Sequence, residues 1–280
     1  MFKDDLLKGK KFLVTGGGTG LGKSMSQRFV QLGAEVVICG RRNEVLQKTA
    51  EELNQIRKGA VTGLTCDVRD PEQIEKLLEQ IWQNGPLNGL VNNAAGNFIS
   101  RSEDLSPRAV DAVLSIVLHG TVYMTLACGQ RWLKSKQPAS VLNIVTTYAS
   151  TGSAYVVPSA VAKAGVLAMT RSLAVEWGGR GIRSNAIAPG PFPTPGAWER
   201  LVPNEQVSKM MLKRIPVNRM GEHIELANLA SFLMSDFAGY INGDVITIDG
   251  GEWLKGAGQF SMLGDMMRDQ DWAAMKPKKG

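Results

Sequence analysis

The sequence predicts an α/β fold: a single doubly wound domain in which a seven-stranded parallel sheet is flanked by helices on both faces. The main observation is the alternation of short apolar, strand-like runs with helix-length segments. The runs cover residues 12–14, 36–38, 61–66, 89–91, 141–145, 183–188 and 244–248. A hydrophobic content of 44% allows a sizeable core, and no low-complexity linker divides the 280 residues, so one domain spanning 1–280 is expected.

The first apolar run leads directly into a glycine-rich turn. Residues 14–22 read VTGGGTGLG and open an amphipathic stretch that reaches Leu32. A strand, a glycine turn and a helix start, in that order, bring backbone N–H groups and the positive end of a helix to one point, where a pyrophosphate binds. The motif alone is a weak signal, because tight strand-to-helix turns also need glycines. With its flanking pattern it predicts a dinucleotide site at Gly16, Gly17, Gly18, Thr19, Gly20, Leu21 and Gly22.

The end of the second strand indicates which dinucleotide binds. Chains that bind NAD usually carry an acid there, about 20 residues after the glycine loop, for the ribose 2′-hydroxyl. This chain has Arg41 and Arg42 instead. A guanidinium fork holds a 2′-phosphate well, whereas a carboxylate repels one. The sequence therefore predicts NADP(H), with Arg41 as the phosphate ligand; a solvated arginine pair at a helix start is the alternative.

Three further strand ends are predicted to line the same site, because open α/β sheets bind ligands at the carboxyl ends of their strands. Asp67, followed by Val68, closes the third strand and can accept the adenine amino group. Asn93 and Ala94 follow the fourth strand, and small residues there let the backbone approach the ribose. The sixth strand is followed by a proline-rich segment that is expected to contact the nicotinamide: Pro189, Gly190, Pro191 and Phe192.

The composition argues against several other classes of protein. A net charge of +6 suits a polyanionic partner, but the basic residues are dispersed, so phosphate-bearing small molecules fit better than nucleic acid. No run reaches the ~18 apolar residues of a membrane span, and the N-terminus lacks the layout of a secretory signal, so a cytoplasmic location is expected. Cys39, Cys66 and Cys128 form no C-x-x-C pair, so neither a disulfide framework nor a metal site is expected.

With these features the chain resembles the short-chain dehydrogenase/reductase family. The resemblance runs from Gly9 to about Trp253 and is carried by the glycine motif and by the segments 92–94, 189–190, 215–216, 219–221, 241–243 and 249–251. It implies an NADP-binding domain of the Rossmann type and a homotetramer.

The catalytic segment departs from the usual pattern of that family. Typical members carry Tyr-x-x-x-Lys on a helix, because residues four apart share a face and the ammonium lowers the pKa of the phenol. Here Lys163 is present, but Ser159 occupies the tyrosine position, and its aliphatic hydroxyl is too weak an acid for ordinary ketone reduction. The absence of a G-x-S-x-G elbow argues against a serine hydrolase. Tyr148 can bring a phenol to the site from the end of the fifth strand; Tyr155 is a second candidate whose surroundings are more typical of packing.

The same residues are similar to the 2,4-dienoyl-CoA reductase branch of the family. The similarity covers residues 92–100 and 156–160 together with Tyr148 and Lys163. It implies that NADPH reduces a conjugated dienoyl thioester to a 3-enoyl-CoA, in the β-oxidation of unsaturated acyl chains. It also implies a role for each matched residue: Tyr148 and Asn97 bind the thioester oxygen, Ser159 supports them, Lys163 holds the nicotinamide ribose, and Arg69, Phe98 and Ser106 contact coenzyme A.

The chemistry agrees with this resemblance. Hydride delivered to the far carbon of a dienoyl thioester moves charge to the carbonyl oxygen, where two fixed donors and a nearby ammonium stabilise it. The proton ends on carbon and can come from water, so a helical tyrosine is not required. Three alternatives stay open: a trans-2-enoyl-CoA reductase, a carbonyl reductase on the same scaffold, and a non-catalytic NADP(H)-binding protein.

Three further segments carry predictions. His119 stands where most family members have an asparagine that supports a proton-relay water, so it is either a pH-sensitive participant or, more in keeping with a helix, a packed histidine. Residues 191–220 are predicted to form a lid over the acyl chain, since prolines and bulky apolar groups gather there: Pro193, Pro195, Trp198, Met210 and Met211. In the tail, 254–280, methionines are expected to extend that surface or, preferably, to cover a subunit contact: Met262, Met266 and Met267.

Overall fold

The computed structural model contains the predicted sheet, and it describes residues 3–194, 202, 204–258 and 260–274. Within these residues the sheet has seven strands: β1 (Lys11–Thr15), β2 (Glu35–Gly40), β3 (Val61–Thr65), β4 (Gly89–Asn92), β5 (Ala139–Ile144), β6 (Ile182–Pro189) and β7 (Val245–Ile248). All neighbours pair in parallel, in the order β3-β2-β1-β4-β5-β6-β7. The predicted fold class is confirmed. The strand order reverses between β1 and β4, and the carboxyl ends of strands at such a point form a ligand cleft.

Helices cover both faces of the sheet. The described helices are α1 (Gly20–Gln31), α2 (Asn43–Asn54), α3 (Pro71–Gln83), α4 (Pro107–Leu114), α5 (Gly120–Ser135), α6 (Tyr148–Thr151), α7 (Val157–Gly178), α8 (Glu205–Arg214), α9 (His223–Met234), α10 (Glu252–Ala257), α11 (Leu263–Met266) and α12 (Asp269–Ala274). A π-helical turn, Ser115–His119, joins α4 to α5. Helices α1, α2 and α9 pack on one face, and α3, α5 and α7 pack on the other.

The strands are apolar along their whole length because both faces are covered. In β1, Phe12 and Val14 point into the core beneath α1 and α9, whereas Leu13 points into the core beneath α3 and α5. This alternation follows from the two-residue period of a strand. It explains why the buried strands read as continuous apolar runs in the sequence.

One stretch contradicts the expectation that no segment could span a membrane. Pro107–Ser135, which includes α4, the π-helical turn and α5, is long and apolar enough by length and composition alone. Half of its most apolar window is buried inside the protein. Met124, Cys128 and Trp132 have no exposed surface, and the Trp132 indole donates a 2.7 Å hydrogen bond to the Leu87 carbonyl. The stretch therefore packs in the core of this fold. A helix that crosses a protein core can be as long and as apolar as a membrane span.

The predicted lid and tail lie partly within the described residues. Helix α8 falls inside the lid and begins at a cap in which Asn204 Oδ1 accepts from the Val207 N–H at 2.9 Å. Pro195, Trp198 and residues 275–280 lie outside the described part of the chain. In the tail, Met262 and Met266 are 57% and 71% exposed.

Candidate active site

A cleft opens at the carboxyl ends of the central strands, and the glycine loop forms one wall of it. The loop turns with positive φ at Gly16 (+64°) and Gly20 (+53°). Gly17 and Gly22 pack closely against neighbouring parts of the protein, with no room for a side chain. A Cβ on Gly17 would come within 2.6 Å of Ile38, and one on Gly22 would come within 2.4 Å of the Gly16 carbonyl oxygen. The bare loop and the start of α1 thus present backbone N–H groups to the cleft, and a pyrophosphate fits there.

Most of the residues predicted to hold a dinucleotide line this cleft, but Gly17 and Gly22 do not. Those that line it are Gly16, Gly18, Thr19, Gly20, Leu21, Arg41, Asp67, Val68, Asn93, Ala94, Lys163, Pro189, Gly190 and Phe192. Pro191 lines an adjoining cavity. Thr15, a residue that the sequence analysis missed, connects β1 to the loop after β4, where the strand order reverses. The Thr15 hydroxyl accepts from the N–H groups of Asn93 and Ala94, both at 3.0 Å, and so joins β1 to the loop after β4.

Asp67 and Arg69 form an ion pair beside the cleft. The guanidinium Nε of Arg69 lies 2.9 Å from Asp67 Oδ1, and this bond lowers the pKa of the carboxyl below its usual value. Arg69, Phe98 and Ser106, the three predicted coenzyme A contacts, do not line the cleft. Ser106 caps α4, and Phe98 packs against Val113, Val117 and Ala162. Their role toward coenzyme A stays a prediction.

A phenol, an amide and a hydroxyl meet at the inner end of the cleft. Tyr148 is the first residue of α6 and follows β5 closely, and its hydroxyl lies 3.3 Å from Asn97 Nδ2 and 3.1 Å from Ser159 Oγ. The Asn97 amide is oriented by its own backbone, because its Oδ1 accepts from the Phe98 N–H at 2.9 Å. Its NH2 group therefore faces the phenol.

Lys163 lies one helical turn beyond Ser159 and is almost completely buried. Its side chain is 7% exposed, and Nζ donates to the Ile144 carbonyl at the end of β5. Burial disfavours the ammonium form and lowers the pKa of Lys163 to about 8. The structure thus brings Tyr148, Asn97, Ser159 and Lys163 to one wall of the cleft.

Thr146 is a second residue that the sequence analysis missed. It lines both the cleft and the adjoining cavity, and its Oγ1 is buried without a hydrogen-bond partner among the described residues. Its signal in the sequence was its position just after the fifth strand. The adjoining cavity, of about 590 Å³, also reaches Tyr148 and is closed by groups from α8 and α10: Met211, Arg214, Glu252, Trp253, Gly256 and Ala257.

Two sequence candidates lie away from this cluster. Tyr155 has a left-handed backbone (φ +66°), is 58% exposed and lines neither cavity, so the packing interpretation is not met and Tyr148 is the phenol at the site. His119 ends the π-helical turn, where it is exposed and stacks on Tyr123 with ring centroids 5.9 Å apart. The preferred interpretation, a packed histidine on a helix, holds for the helical position and for the stacking on Tyr123, but the residue is exposed.

Fold and site together define a dinucleotide-binding oxidoreductase. A family model described as enoyl-(acyl carrier protein) reductase matches residues 16–252. The chain belongs to the short-chain dehydrogenase/reductase family.

Two curated relatives match nearly the whole chain. A probable 2,4-dienoyl-CoA reductase of Caenorhabditis elegans, described as (3E)-enoyl-CoA-producing, is 44% identical over 97% of this chain and 89% of its own. A probable 2,4-dienoyl-CoA reductase of Bacillus subtilis, described as (2E)-enoyl-CoA-producing, is 45% identical over 88% of this chain and 97% of its own.

Solved structures of the family are similar as well. A short chain dehydrogenase from Bacillus anthracis is 43% identical, with a TM-score of 0.81 over 89% of this chain and 98% of its own. A putative 2-deoxy-D-gluconate 3-dehydrogenase from Agrobacterium tumefaciens with bound NADP is 32% identical, with a TM-score of 0.82 over 90% of this chain and 99% of its own.

Steric contact at the glycine loop can be tested by adding one methyl group. Gly22→Ala places Cβ against the Gly16 carbonyl and the Asn93 amide, at 2.4 and 2.5 Å. We expect the free energy of unfolding to fall by about 1–3 kcal/mol through overpacking, although alanine favours a helix. Gly96→Ala, whose Cβ would meet nothing closer than Ile116 at 3.6 Å, is the control. Urea unfolding measures both, and a Gly22→Ala protein as stable as the control would contradict the contact.

Proposed function

We propose that this protein uses NADPH to reduce a 2,4-dienoyl-CoA to a 3-enoyl-CoA, in the breakdown of unsaturated acyl chains. The observation that carries the proposal is the position of the phenol. Tyr148 lies at the end of β5 between Asn97 and Ser159, while the family's usual tyrosine position holds that serine. The name of the Caenorhabditis elegans relative gives the same substrate and the same product, whereas the Bacillus subtilis relative shares the substrate in its name but is described as producing the (2E)-enoyl-CoA.

The donors at the inner end of the cleft suit a thioester oxygen that gains charge. Bound NADPH supplies the hydride for this reaction. Asn97 donates to the phenol oxygen, and when the Ser159 hydroxyl also donates to it, the phenol proton is left for the thioester oxygen. The second amide N–H of Asn97 is assigned to the same oxygen. Ser159 is buried and fixes the phenol from the side of α7. Two preorganised donors aimed at the oxygen that gains charge stabilise an enolate strongly.

The cofactor residues of the proposal are those that line the cleft, together with two glycines that shape its loop. Arg41 is exposed, lines the cleft and is assigned to the 2′-phosphate. Asp67, which pairs with Arg69, is assigned to the adenine amino group. Gly17 and Gly22 let the loop pack without side chains. Lys163 is assigned to the nicotinamide ribose, and residues 189–192 are assigned to the nicotinamide.

The adjoining cavity is the proposed acyl pocket. It shares Tyr148 and Phe192 with the cleft and is bounded by α8, so a chain that starts at the phenol runs under the predicted lid. Coenzyme A then lies toward Arg69, Phe98 and Ser106. A single domain over residues 1–280, a cytoplasmic location and homotetrameric assembly are the remaining parts of the proposal.

The rival reactions differ in substrate and in product. Tyr148 and Asn97 both serve an oxygen, so protonation of carbon is left to water. After hydride addition at the far carbon, a proton added to the carbon next to the carbonyl leaves the double bond between C3 and C4 and gives the 3-enoyl product, whereas a proton added to C4 gives the 2-enoyl product. An enoyl-CoA or carbonyl reductase would instead oxidise NADPH with crotonyl-CoA or with simple ketones. Sorboyl-CoA, crotonyl-CoA and a ketone, assayed side by side with analysis of the product double bond, separate these cases. Turnover of the ketone alone would exclude the proposed reaction.

Removal of one hydroxyl tests the proposed reaction. Tyr148→Phe should lower kcat for sorboyl-CoA by about 100-fold or more, since one such donor contributes ~3 kcal/mol, and should leave the KM for NADPH nearly unchanged. Ser159→Ala should lower kcat less, because that hydroxyl acts through the phenol. Tyr155→Phe, a change of the same kind at an exposed residue outside both cavities, is the control. Equal kcat values for Tyr148→Phe and the control would remove Tyr148 from the reaction.

The lowered pKa of Lys163 predicts a pH dependence. Its charged form is the protonated one, so the positive charge is present below about pH 8 and is lost as the pH rises through that value. We expect kcat/KM for the dienoyl-CoA, which reports on the free enzyme, to fall above about pH 8. In Lys163→Arg the guanidinium stays charged, and the alkaline fall should disappear. A wild-type profile that stays flat to pH 9.5 would contradict the assignment.

Cofactor choice is tested at the end of β2. Arg41→Asp replaces a phosphate donor with a carboxylate, so the preference for NADPH over NADH should fall at least about tenfold through lost charge-assisted hydrogen bonds. Arg42→Asp makes the same change of charge one residue further on and should have a smaller effect. Steady-state KM values for both nucleotides measure the preference. An unchanged ratio in Arg41→Asp would place the 2′-phosphate elsewhere.

A further inference from the structure

The first residue of α9 joins the two sides of the cofactor cleft. His223 Nε2 lies 2.7 Å from the Pro193 carbonyl oxygen, in the segment that continues from the predicted nicotinamide contacts. On the other side of the ring, Nδ1 lies 3.0 Å from Ser24 Oγ in α1. Ser24 Oγ is also 3.1 Å from the carbonyl of Gly20, where α1 begins.

The chemistry of the partners fixes the proton on this ring. A carbonyl oxygen only accepts, so Nε2 carries the hydrogen and donates to Pro193. In the neutral ring, Nδ1 then accepts from the Ser24 hydroxyl, whose single proton is shared between this bond and the contact with the Gly20 carbonyl. A line of hydrogen bonds therefore runs from the loop after β6, through His223, to the helix that carries the glycine loop.

Packing contacts hold the same segment in the same place. The Gly221 N–H donates to the Pro191 carbonyl at 3.0 Å, and a Cβ on Gly221 would come within 2.4 Å of the Phe192 ring. On the opposite side, a Cβ on Gly20 would come within 3.2 Å of Thr194. Residues 191–194 thus lie between the start of α9 and the start of α1.

We propose that His223 is a positioning residue for the cofactor: through Ser24 it holds residues 191–194 against the glycine loop and so fixes the spacing between the pyrophosphate and nicotinamide sides of the site. This inference rests on the proposed function, because it requires that the cleft binds NADP(H). His223 lines neither cavity, so it acts only through the residues that it holds.

The test compares three substitutions in the full-length protein. His223→Leu removes both hydrogen bonds, and the Kd for NADPH should rise by about five- to tenfold, in line with the loss of one or two neutral hydrogen bonds. His223→Gln, whose amide can donate from the place of Nε2, should keep the Kd within about twofold of wild type. His119→Leu, at the only other histidine of the chain, is the control and should leave the Kd unchanged. Binding is followed by nucleotide fluorescence, and urea unfolding without cofactor monitors stability.

A double-mutant cycle tests whether Ser24 and His223 act together on cofactor affinity. Ser24→Ala should raise the Kd less than His223→Leu, and the two together should add little to His223→Leu alone, because both belong to one hydrogen-bonded line. Unchanged affinity in His223→Leu, or equal losses in His223→Leu and His223→Gln, would overturn the positioning role. A wild-type protein that binds neither NADPH nor NADH would instead overturn the proposed function.

Discussion

The site depends on one phenol held at a strand end by hydrogen bonds from two other segments. Asn97 reaches Tyr148 from the loop after β4, and Ser159 reaches it from α7. Asn97 is 51 residues and Ser159 is 11 residues from Tyr148 along the chain, and the parallel pairing of β4 with β5 and the packing of α7 beside β5 bring the three together. Any shift in that strand pairing would separate the donors. The sheet thus fixes the distances on which the proposed chemistry relies.

Burial of a charge next to this phenol gives the site its electrostatic character. Lys163 is almost completely buried and donates a hydrogen bond to the carbonyl at the end of β5. Burial makes its ammonium form less stable than in water and so lowers its pKa. Negative charge that develops in the cleft offsets this desolvation, because opposite charges interact strongly where water is excluded. The same lysine therefore favours an anionic ligand or a charged transition state over a neutral ground state.

The sequence predicts most of the scaffold and much of the site for a shared physical reason. Strands buried on both faces read as unbroken apolar runs, and a turn that admits no side chain reads as glycines, so β1 to β7 and the loop at Gly16–Gly22 were predictable. Tyr148 was found because a serine in place of the helical tyrosine left the site without a phenol. Single polar residues were missed when their partners lie far away along the chain. Thr15 and His223 belong to this group, and nothing local distinguishes them from other threonines and histidines. Thr146, whose hydroxyl has no partner among the described residues, has only its position just after the fifth strand as a signal.

The sequence predicts the burial and the contacts of individual residues less well than it predicts the strands and the glycine loop. His119 was expected to be packed and is exposed, at the end of a π-helical turn that the residue pattern does not reveal. The Pro107–Ser135 stretch is apolar enough to span a membrane because it crosses the core. Arg69 was assigned to coenzyme A, and the structure shows that it also forms an ion pair with Asp67, two residues away.

A crystal structure of the protein with NADP+ and a dienoyl-CoA is the most direct measurement of the central claim. The account predicts that the thioester oxygen lies within hydrogen-bond distance of both the Tyr148 hydroxyl and the Asn97 amide, with the acyl chain in the cavity beneath α8. A thioester oxygen bound elsewhere, with the Tyr148 hydroxyl turned away from the nicotinamide, would contradict it.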